Sequence, residues 1–494
     1  MKKKNGYVLS IDQGTTGSRA FIFDSKGSPI ASSYKEFKQF YPKPGWVEHD
    51  PMEIWGSVKQ TIDGAISKSG INPAAIVAIG ITNQRETTVV WDKKTGKPIY
   101  HAIVWQCRRT AKQCEQIKKH QALIRRATGL VVDAYFSATK IAWLLDQVKG
   151  ARSLAKQGRL AFGTIDSWLI WQLTAGQSHV TDMTNASRTM IFDINKRAWS
   201  EPLLKLFNIP KNILPTVNHS GSIFGKTAKI GKLPSGIPIS AVMGDQQAAL
   251  YGQGCFTKGS MKNTYGTGCF LLLNTGLRRI ISTKGLLTTI AANSMGKPVY
   301  ALEGAVFIAG ALVQWLRDEL KVIPTAIATQ EMIKGLKDTN GVYVVPAFVG
   351  LGAPYWNPNA RGIISGLTRG ANVNHIVRAC LEAIAYQTKD IVNLMQQESR
   401  LTVKSLAVDG GACRNDFLMQ FQADMLQAKL FRPVNVDTTA AGVAYLAGVT
   451  SGIYKLSQLK TMRRVDAVFN ARMPKSLVNE KYKGWQHAVQ QALV

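Results

Sequence analysis

Acidic residues are scarce in this chain. Asp and Glu number 31 against 61 Lys and Arg, a formal net charge of +30 over 494 residues. Such an imbalance can signal nucleic acid or an anionic membrane as partner, yet the patterns those functions need are missing. The longest basic run is Lys2-Lys3-Lys4, and the other clusters are doublets such as Arg108-Arg109, Arg125-Arg126 and Arg463-Arg464. No RGG tract, zinc-finger spacing or basic region with heptads accompanies them. The excess reads as a generally basic surface suited to anionic substrates, with no dedicated nucleic-acid partner. Long hydrophobic runs are lacking too: "GAVFIAGALVQWL", the longest candidate, contains Gln314 and falls short of the ~20 residues of a membrane span, so no transmembrane segment is expected. Asp12 interrupts the first apolar run too early for a signal peptide. The six cysteines (107, 114, 255, 269, 380 and 413) form no CxxC pair and no metal-like grouping with histidine. They read as reduced thiols of a cytoplasmic protein.

Familiar phosphate-binding motifs are also missing. There is no GxGxxG on a Rossmann strand and no kinase-type HRD or DFG set. "GSIFGKT", Gly221 to Thr227, is one residue short of a P-loop. Shortening that turn destroys the cradle of backbone N–H groups, so the stretch is expected to be a surface turn.

What remains is an α/β pattern in a chain too long for one ordinary core. "YVLSID", "RAFIFD" and "IASSYKEF" are three strand-like runs. A helix follows in "DPMEIWGSVKQTIDGAISKSG", capped by Asp50, opened by Pro51, with Glu53 in a capping-box spacing, and stopped by Gly70. "AIVAIGITN" reads as a buried strand leading into "QRET". A related order recurs later: "MKNTYGTGCFLLLNTG", the strand "GLLTTIAA", the helix "NHIVRACLEAIAYQTKDIVNLM", and the strand–turn–helix "SLAVDGGACRNDFLMQFQADML". This weak internal duplication places a domain boundary within 251–260 and predicts two domains, 1–254 and 255–494.

Two turns, "DQGTTGSR" and "YGTG", can aim backbone N–H groups and hydroxyls at phosphate oxygens, and an aspartate at a strand end can hold Mg2+ through its water shell. Asp-x-Gly-Thr-Thr after the first strand, a matching later turn and a late Asp-Gly-Gly resemble the sugar/polyol-kinase branch of the actin-like ATPases. "YPKPGWVEHDP", "GITNQRETTVVW", "AIVWQCRRT", "DMTNASRTM", "GDQQAALYGQ", "YALEGAVFIAGA" and "VPAFVGLGAPYW" narrow the resemblance to the glycerol kinase family within it, from about residue 6 to 490.

That resemblance implies an α/β protein of two RNase H-like (actin-like ATPase) domains flanking a central cleft. Glycerol is expected on 1–254 and ATP on 255–494, with Mg2+ as cofactor and a homodimer or homotetramer as the assembly. It implies a glycerol site of Arg85, Glu86, Trp105, Tyr135, Asp245, Gln246 and Phe270, with Asp245 as general base. Arg85 donates, Glu86 accepts, and Trp105 and Phe270 supply an apolar wall. Asp12 organises Mg2+, while Thr15, Thr16, Gly17, Arg19 and Thr267 surround the transferring phosphate. Gly310, Gln314, Gly411 and Asn415 belong near the nucleotide. Two alternatives stay open on the residues alone: a kinase of another small polyol or ketose such as xylulose, and a polymerising or chaperone-like actin-fold ATPase. Departures from the family pattern are Gly17 in place of serine, which loosens a phosphate contact, Ala134 in place of proline, and Arg414 near the adenine end. The loop "GKLPSGIPIS" lacks the arginine associated with fructose 1,6-bisphosphate inhibition.

Overall fold

The computed structural model describes residues 6–292, 296 and 298–494, so the Lys2-Lys3-Lys4 run lies outside the described residues. The chain folds as two compact units. The first comprises the chain up to Gly254, Thr288–Tyr300 and Thr438–Arg463; the second comprises Cys255–Leu287, Ala301–Asp437 and Arg464–Val494. Among the described residues no helix is long and apolar enough to cross a membrane.

The first unit opens with β1 (Tyr7–Gln13), β2 (Gly17–Phe23) and β3 (Pro29–Glu36), paired antiparallel in sequence order. Helix α1 (Pro51–Ser69) then packs its Ile54, Val58, Ile62 and Ile66 into a core with Leu9, Ile11, Ala20 and Ile22. Asp50 Oδ1 accepts from the Met52 N–H at 2.7 Å, and Gly70 ends the helix at φ +66°. Glu53 does not complete a capping box. Its carboxylate accepts instead from the Lys38 N–H at 3.1 Å, fastening the helix start to the segment after β3. Strand β4 (Ile76–Asn83) joins parallel to β1. "GSIFGKT" is not a free turn: Phe224 is buried, and Gly225–Lys226 forms β5, the antiparallel edge beside β6 (Pro238–Gly244). β6 runs parallel to β4, and the sheet order is β5-β6-β4-β1-β2-β3. Helices α2 (Ser137–Gln147) and α3 (Asp245–Gly252) belong to this unit.

In the second unit β7 (Met261–Tyr265) and β8 (Cys269–Gly276) form the hairpin, followed by β9 (Val299–Val306). The expected strand in "GLLTTIAA" forms as Leu287–Ala291. β10 (Ser405–Asp409) runs parallel to β7, β11 (Lys429–Pro433) parallel to β10, and β12 (Val465–Phe469) antiparallel to β11. Six of this sheet's seven strands run in the order β9-β8-β7-β10-β11-β12. From the first hairpin outward, each sheet therefore repeats one scheme: antiparallel partner, first strand, two parallel strands, antiparallel edge. The internal duplication is an RNase H-like repeat. Helices α4 (Gly310–Asp318), α5 (Val373–Ser399) and α6 (Asp416–Leu426) cover the second sheet, with the middle of α5 buried in its core.

Within 255–494, the segments Thr288–Tyr300 and Thr438–Arg463 belong to the first compact unit. Thr288 donates its N–H to the Gly129 carbonyl at 2.9 Å, and the Tyr300 hydroxyl donates to the Ile194 carbonyl at 3.0 Å. Helix α7 (Thr438–Thr450) carries small residues, Ala440, Ala441, Gly442 and Ala444, that let it lie close to α3 and the sheet. Ser10 on β1 donates to the Ala440 carbonyl at 2.8 Å. Those buried bonds, rather than sequence order, decide the membership.

Candidate active site

Strand register assembles the first half of the site. In the parallel set β1, β4 and β6, Gln13 stands opposite Asn83 and Asn83 opposite Gly244. The chain therefore leaves three neighbouring strand ends at Asp12-Gln13, at Gln84-Arg85-Glu86 and at Asp245-Gln246. Ligands in α/β sheets bind at such carboxyl ends. The β4 end is locked by a reciprocal amide pair: Asn83 Nδ2 donates to Asn185 Oδ1 at 3.0 Å and Asn185 Nδ2 to Asn83 Oδ1 at 3.2 Å. Asn185 sits in the short helix Met183–Ala186, whose N-terminus is capped by the buried Asp182 carboxylate. That helix delivers Arg188.

The resulting constellation is charged and nearly dry. Arg85 Nε lies 3.1 Å from Asp245 Oδ1 and 3.9 Å from Glu86 Oε1, and Arg85 Nη1 donates to Gln247 Oε1 at 3.3 Å. Glu86 Oε1 also accepts from Arg188 Nε at 2.6 Å. The side chains of Arg85, Glu86 and Arg188 are 2%, 1% and 0% exposed, whereas that of Asp245 is 33% exposed. One carboxylate is thus committed to the interior and the other reaches solvent. Gln246 holds the exposed one, its N–H donating to Asp245 Oδ1 at 2.7 Å and its Nε2 to Oδ2 at 3.2 Å. Glu86 adopts φ +61°, a left-handed conformation that costs a non-glycine residue about 1–2 kcal/mol. Sequence reading named Arg85, Glu86, Asp245 and Gln246, and the structure brings them together. It missed Arg188 and Gln247, although "DMTNASRTM" and "GDQQAA" contain them.

Beside this cluster a ring of hydrogen bonds supports the first phosphate-type turn. The turn closes with Gly14 N–H donating to the Gly17 carbonyl at 2.9 Å. Trp105 Nε1 donates to Thr15 Oγ1 at 2.9 Å, and its indole meets Tyr135 edge-on at 5.6 Å. Gln39 Nε2 donates to the Thr15 carbonyl at 3.1 Å, while Gln39 Oε1 lies 2.6 Å from His49 Nε2. Burial drives the His49 pKa down to about 3, so the imidazole is neutral. Gln84 Nε2 donates to the Gly14 carbonyl at 3.1 Å. Thr15 is half-buried, Thr16 and Arg19 are exposed, and Asp12 stands opposite Arg19 in the hairpin register.

Gly17 has a reason in this chain. A Cβ there would lie 2.5 Å from the Tyr34 ring, which stacks 5.1 Å from the Arg19 guanidinium. Gly17→Ser is therefore expected to push Tyr34 off Arg19 at about 0.5–1 kcal/mol, the scale of an exposed cation–π contact. In a Tyr34→Ala background the same substitution should cost nothing. Urea unfolding of the four proteins in the cycle checks this, and an equal cost in both backgrounds would refute the coupling.

The second unit builds its own cavity by the same register logic. Thr264 on β7 faces Asp409 on β10, so the "YGTG" and "DGG" turns emerge side by side. A cavity of about 310 Å³ opens there, lined by Thr267, Gly310, Gln314, Gly411 and Asn415 among others. Five residues expected near a nucleotide thus line one concavity. The Thr267 carbonyl accepts from the N–H groups of Ala309 and Ala311 at 2.9 and 3.0 Å, clamping the turn onto the start of α4. A Cβ on Gly310 would come within 2.5 Å of the Gly266 carbonyl oxygen. The turn itself requires glycine there. Asn415 caps α6, accepting from the Leu418 N–H at 2.9 Å, and its Nδ2 donates to Thr329 Oγ1 at 3.1 Å. The cavity's far wall, including Arg317, Ile327, Gln330 and Arg414, was not foreseen apart from Arg414. Phe270 lies on β8 opposite Thr264.

Among the described residues no three His, Cys, Asp or Glu side chains group as a metal-binding set. Magnesium, which keeps several waters and leans on one or two carboxylates plus phosphate oxygens, suits the Asp12 carboxylate at its strand end.

Two family models match the chain: the FGGY family of carbohydrate kinases, N-terminal domain, over residues 7–252, and the C-terminal domain of the same family over residues 261–451. The chain is 56% identical to a glycerol kinase of Caldanaerobacter subterraneus subsp. tengcongensis over 99% of this chain and 98% of that relative. The structure of Plasmodium falciparum glycerol kinase with ADP matches at a TM-score of 0.94, with 38% identity and 99% coverage of both chains. A ligand-bound xylulose kinase from Lactobacillus acidophilus shares the fold at a TM-score of 0.89, with 21% identity and 98% coverage of both chains. Matched along both units by sequence and along nearly its whole length by structure, this chain belongs to the FGGY family of carbohydrate kinases.

Proposed function

We infer that this protein transfers the γ-phosphoryl group of ATP to a terminal hydroxyl of glycerol, giving sn-glycerol 3-phosphate and ADP. The observation that carries the reading is the Arg85–Glu86–Asp245–Gln246 constellation, in which one buried and one half-exposed carboxylate share a single guanidinium. Relatives that carry the glycerol kinase name over their full length support the choice of substrate.

In this reading the first unit holds glycerol and the second holds the nucleotide. Arg85 donates to glycerol oxygens and Glu86 accepts from them, with Trp105 and Tyr135 against the carbons. Asp245 accepts the proton of the attacking hydroxyl. A carboxylate accepts about four hydrogen bonds, and Arg85 Nε and two Gln246 donors occupy three of those positions. The remaining lone pair, on Oδ2, is the one free for the alcohol proton. As that O–H breaks, the oxygen forms the new bond to phosphorus and the bond to the ADP oxygen breaks in line. Such a transfer leaves the protein mainly positioning and charge stabilisation. Thr15, Thr16, Arg19 and Thr267 provide donors for the phosphoryl oxygens, and Asp12 would hold Mg2+ through water. When bound, the ion neutralises charge between the β- and γ-phosphates.

A coupled ADP-release assay across glycerol, dihydroxyacetone, glyceraldehyde and xylulose tests the assignment. Glycerol is expected to give the highest kcat/KM. Turnover of xylulose without turnover of glycerol would overturn it.

A further inference from the structure

One buried ammonium lies behind this constellation with no role in the chemistry above. Lys140, on the first turn of α2, is completely buried. Its Nζ donates to the Tyr135 carbonyl at 2.8 Å and to the Glu86 carbonyl at 3.3 Å. The Glu86 carbonyl also accepts from Ser137 Oγ at 3.0 Å, one turn earlier on the same helix. Two residues that are 49 positions apart in sequence, and that are both assigned to the glycerol grip, are thus tied at the backbone through one side chain.

A fully buried lysine is costly to keep charged. Burial pulls its pKa down to about 7, against the opposing pull of Glu86, Cys107, Asp133 and Cys114. A methionine or leucine would fill the same space without that cost, so packing alone does not account for the residue. The Glu86 backbone does. Glu86 stands at φ +61°, where a side chain relaxes back unless its surroundings hold it. Three donors converge on its carbonyl oxygen and supply that hold: Lys140 Nζ, Ser137 Oγ, and Thr88 Oγ1 from the same segment at 3.1 Å. Lys140 alone also reaches the Tyr135 carbonyl, and all three act on the Glu86 carbonyl rather than on the carboxylate, which stays committed to Arg188 and Arg85.

We propose that Lys140 is a positioning residue for the glycerol site: its ammonium pins the strained Glu86 backbone to the Tyr135 backbone and so sets the spacing of the groups that grip the triol. The proposal rests on the reading that Glu86 and Tyr135 bind glycerol. It involves no contact between Lys140 and substrate, and it separates Lys140 from the nucleotide cavity, which the second unit builds from its own residues.

The test is steady-state kinetics of the full-length wild type, Lys140→Met, Lys140→Arg and Ser137→Ala, varying glycerol and ATP separately, with thermal unfolding of each. Lys140→Met should raise the glycerol KM roughly 10- to 100-fold, the scale of one hydrogen bond from a charged donor. Its ATP KM should stay within about twofold. Ser137→Ala should raise the glycerol KM by a smaller factor, in the same direction and with the same selectivity. Lys140→Arg, which keeps the charge and the donors, should recover part of the loss. An unchanged glycerol KM in a folded Lys140→Met variant overturns the proposal, as does an equal rise in both KM values, the mark of a purely structural residue. Should Lys140→Met fail to fold, Ser137→Ala decides by the same two criteria. A wild type that turns over xylulose but not glycerol fails the functional reading, and the proposal falls with it; a wild type active on glycerol with an unaffected variant fails the proposal alone.

Discussion

Asp245→Asn is expected to lose about 10²–10⁴ in turnover of glycerol, the range for removing a general base. The amide cannot accept the alcohol proton, yet it fills the same volume. Its carbonyl oxygen can still accept from Arg85 Nε and the Gln246 N–H, as Oδ1 does now. Its new NH2 group would face Gln246 Nε2, a donor against a donor, but that side chain can turn over and offer its carbonyl instead. The loss of stability should be smaller than for a fully buried pair, because the Asp245 side chain is 33% exposed and the buried Arg85 guanidinium keeps the amide oxygen as acceptor and Glu86 at 3.9 Å. Glycerol KM should move far less than kcat, since the grip through Arg85, Glu86 and Tyr135 survives. A coupled ADP-release measurement at saturating ATP and glycerol reads the effect. Retention of more than about a tenth of wild-type turnover would take Asp245 out of the base role.

The parts of the site that sequence made legible are those carried by local pattern. The β1–β2 hairpin with Asp12 and the threonine turn, α1 with its Asp50 cap, and β4 running into "QRET" all follow from strings of a dozen residues or so. The misreadings have a common cause. Glu53 has the spacing of a capping box, but the Lys38 N–H needed an acceptor and took it. "GSIFGKT" reads as a turn until β6 offers it an edge to pair with. Nothing local shows that Arg188 meets Glu86, 102 positions away, or that α7 leaves the second half of the chain to bury its small residues against β1 and α3. The far wall of the cavity, with Ile327 and Gln330 in loops and short turns, has neither period nor motif to announce it. Where a residue's role depends on a partner distant in sequence, only the resemblance to a family could point to it, and it pointed to Arg85, Glu86 and Asp245 rather than to Arg188 and Gln247 beside them.

The largest expected effect on stability belongs to Glu86. Its carboxylate is 1% exposed and faces Arg188, which is 0% exposed, and Arg85, which is 2% exposed. Glu86→Ala strands the Arg188 guanidinium in the interior, while Arg85 keeps the Asp245 carboxylate at 3.1 Å, and breaking a buried pair from one side costs about 3–5 kcal/mol. The measurement is the urea midpoint of unfolding against wild type. Any relief of the left-handed strain at φ +61° is unavailable to alanine, which carries the same Cβ. Activity should vanish along with stability, so the single variant cannot tell a structural charge from a substrate ligand. The double variant Glu86→Leu/Arg188→Leu can. Replacing both partners of a buried pair by apolar groups is often near neutral, so its midpoint should return most of the way to wild type. Glycerol turnover should not return with it, because the acceptor for the hydroxyls is still gone. A double variant that regained both would place Glu86 in the scaffold alone and leave the triol to be held by Arg85, Gln246 and Tyr135. A double variant as unstable as the single would mean that Arg85, and not Arg188, is the charge Glu86 chiefly compensates.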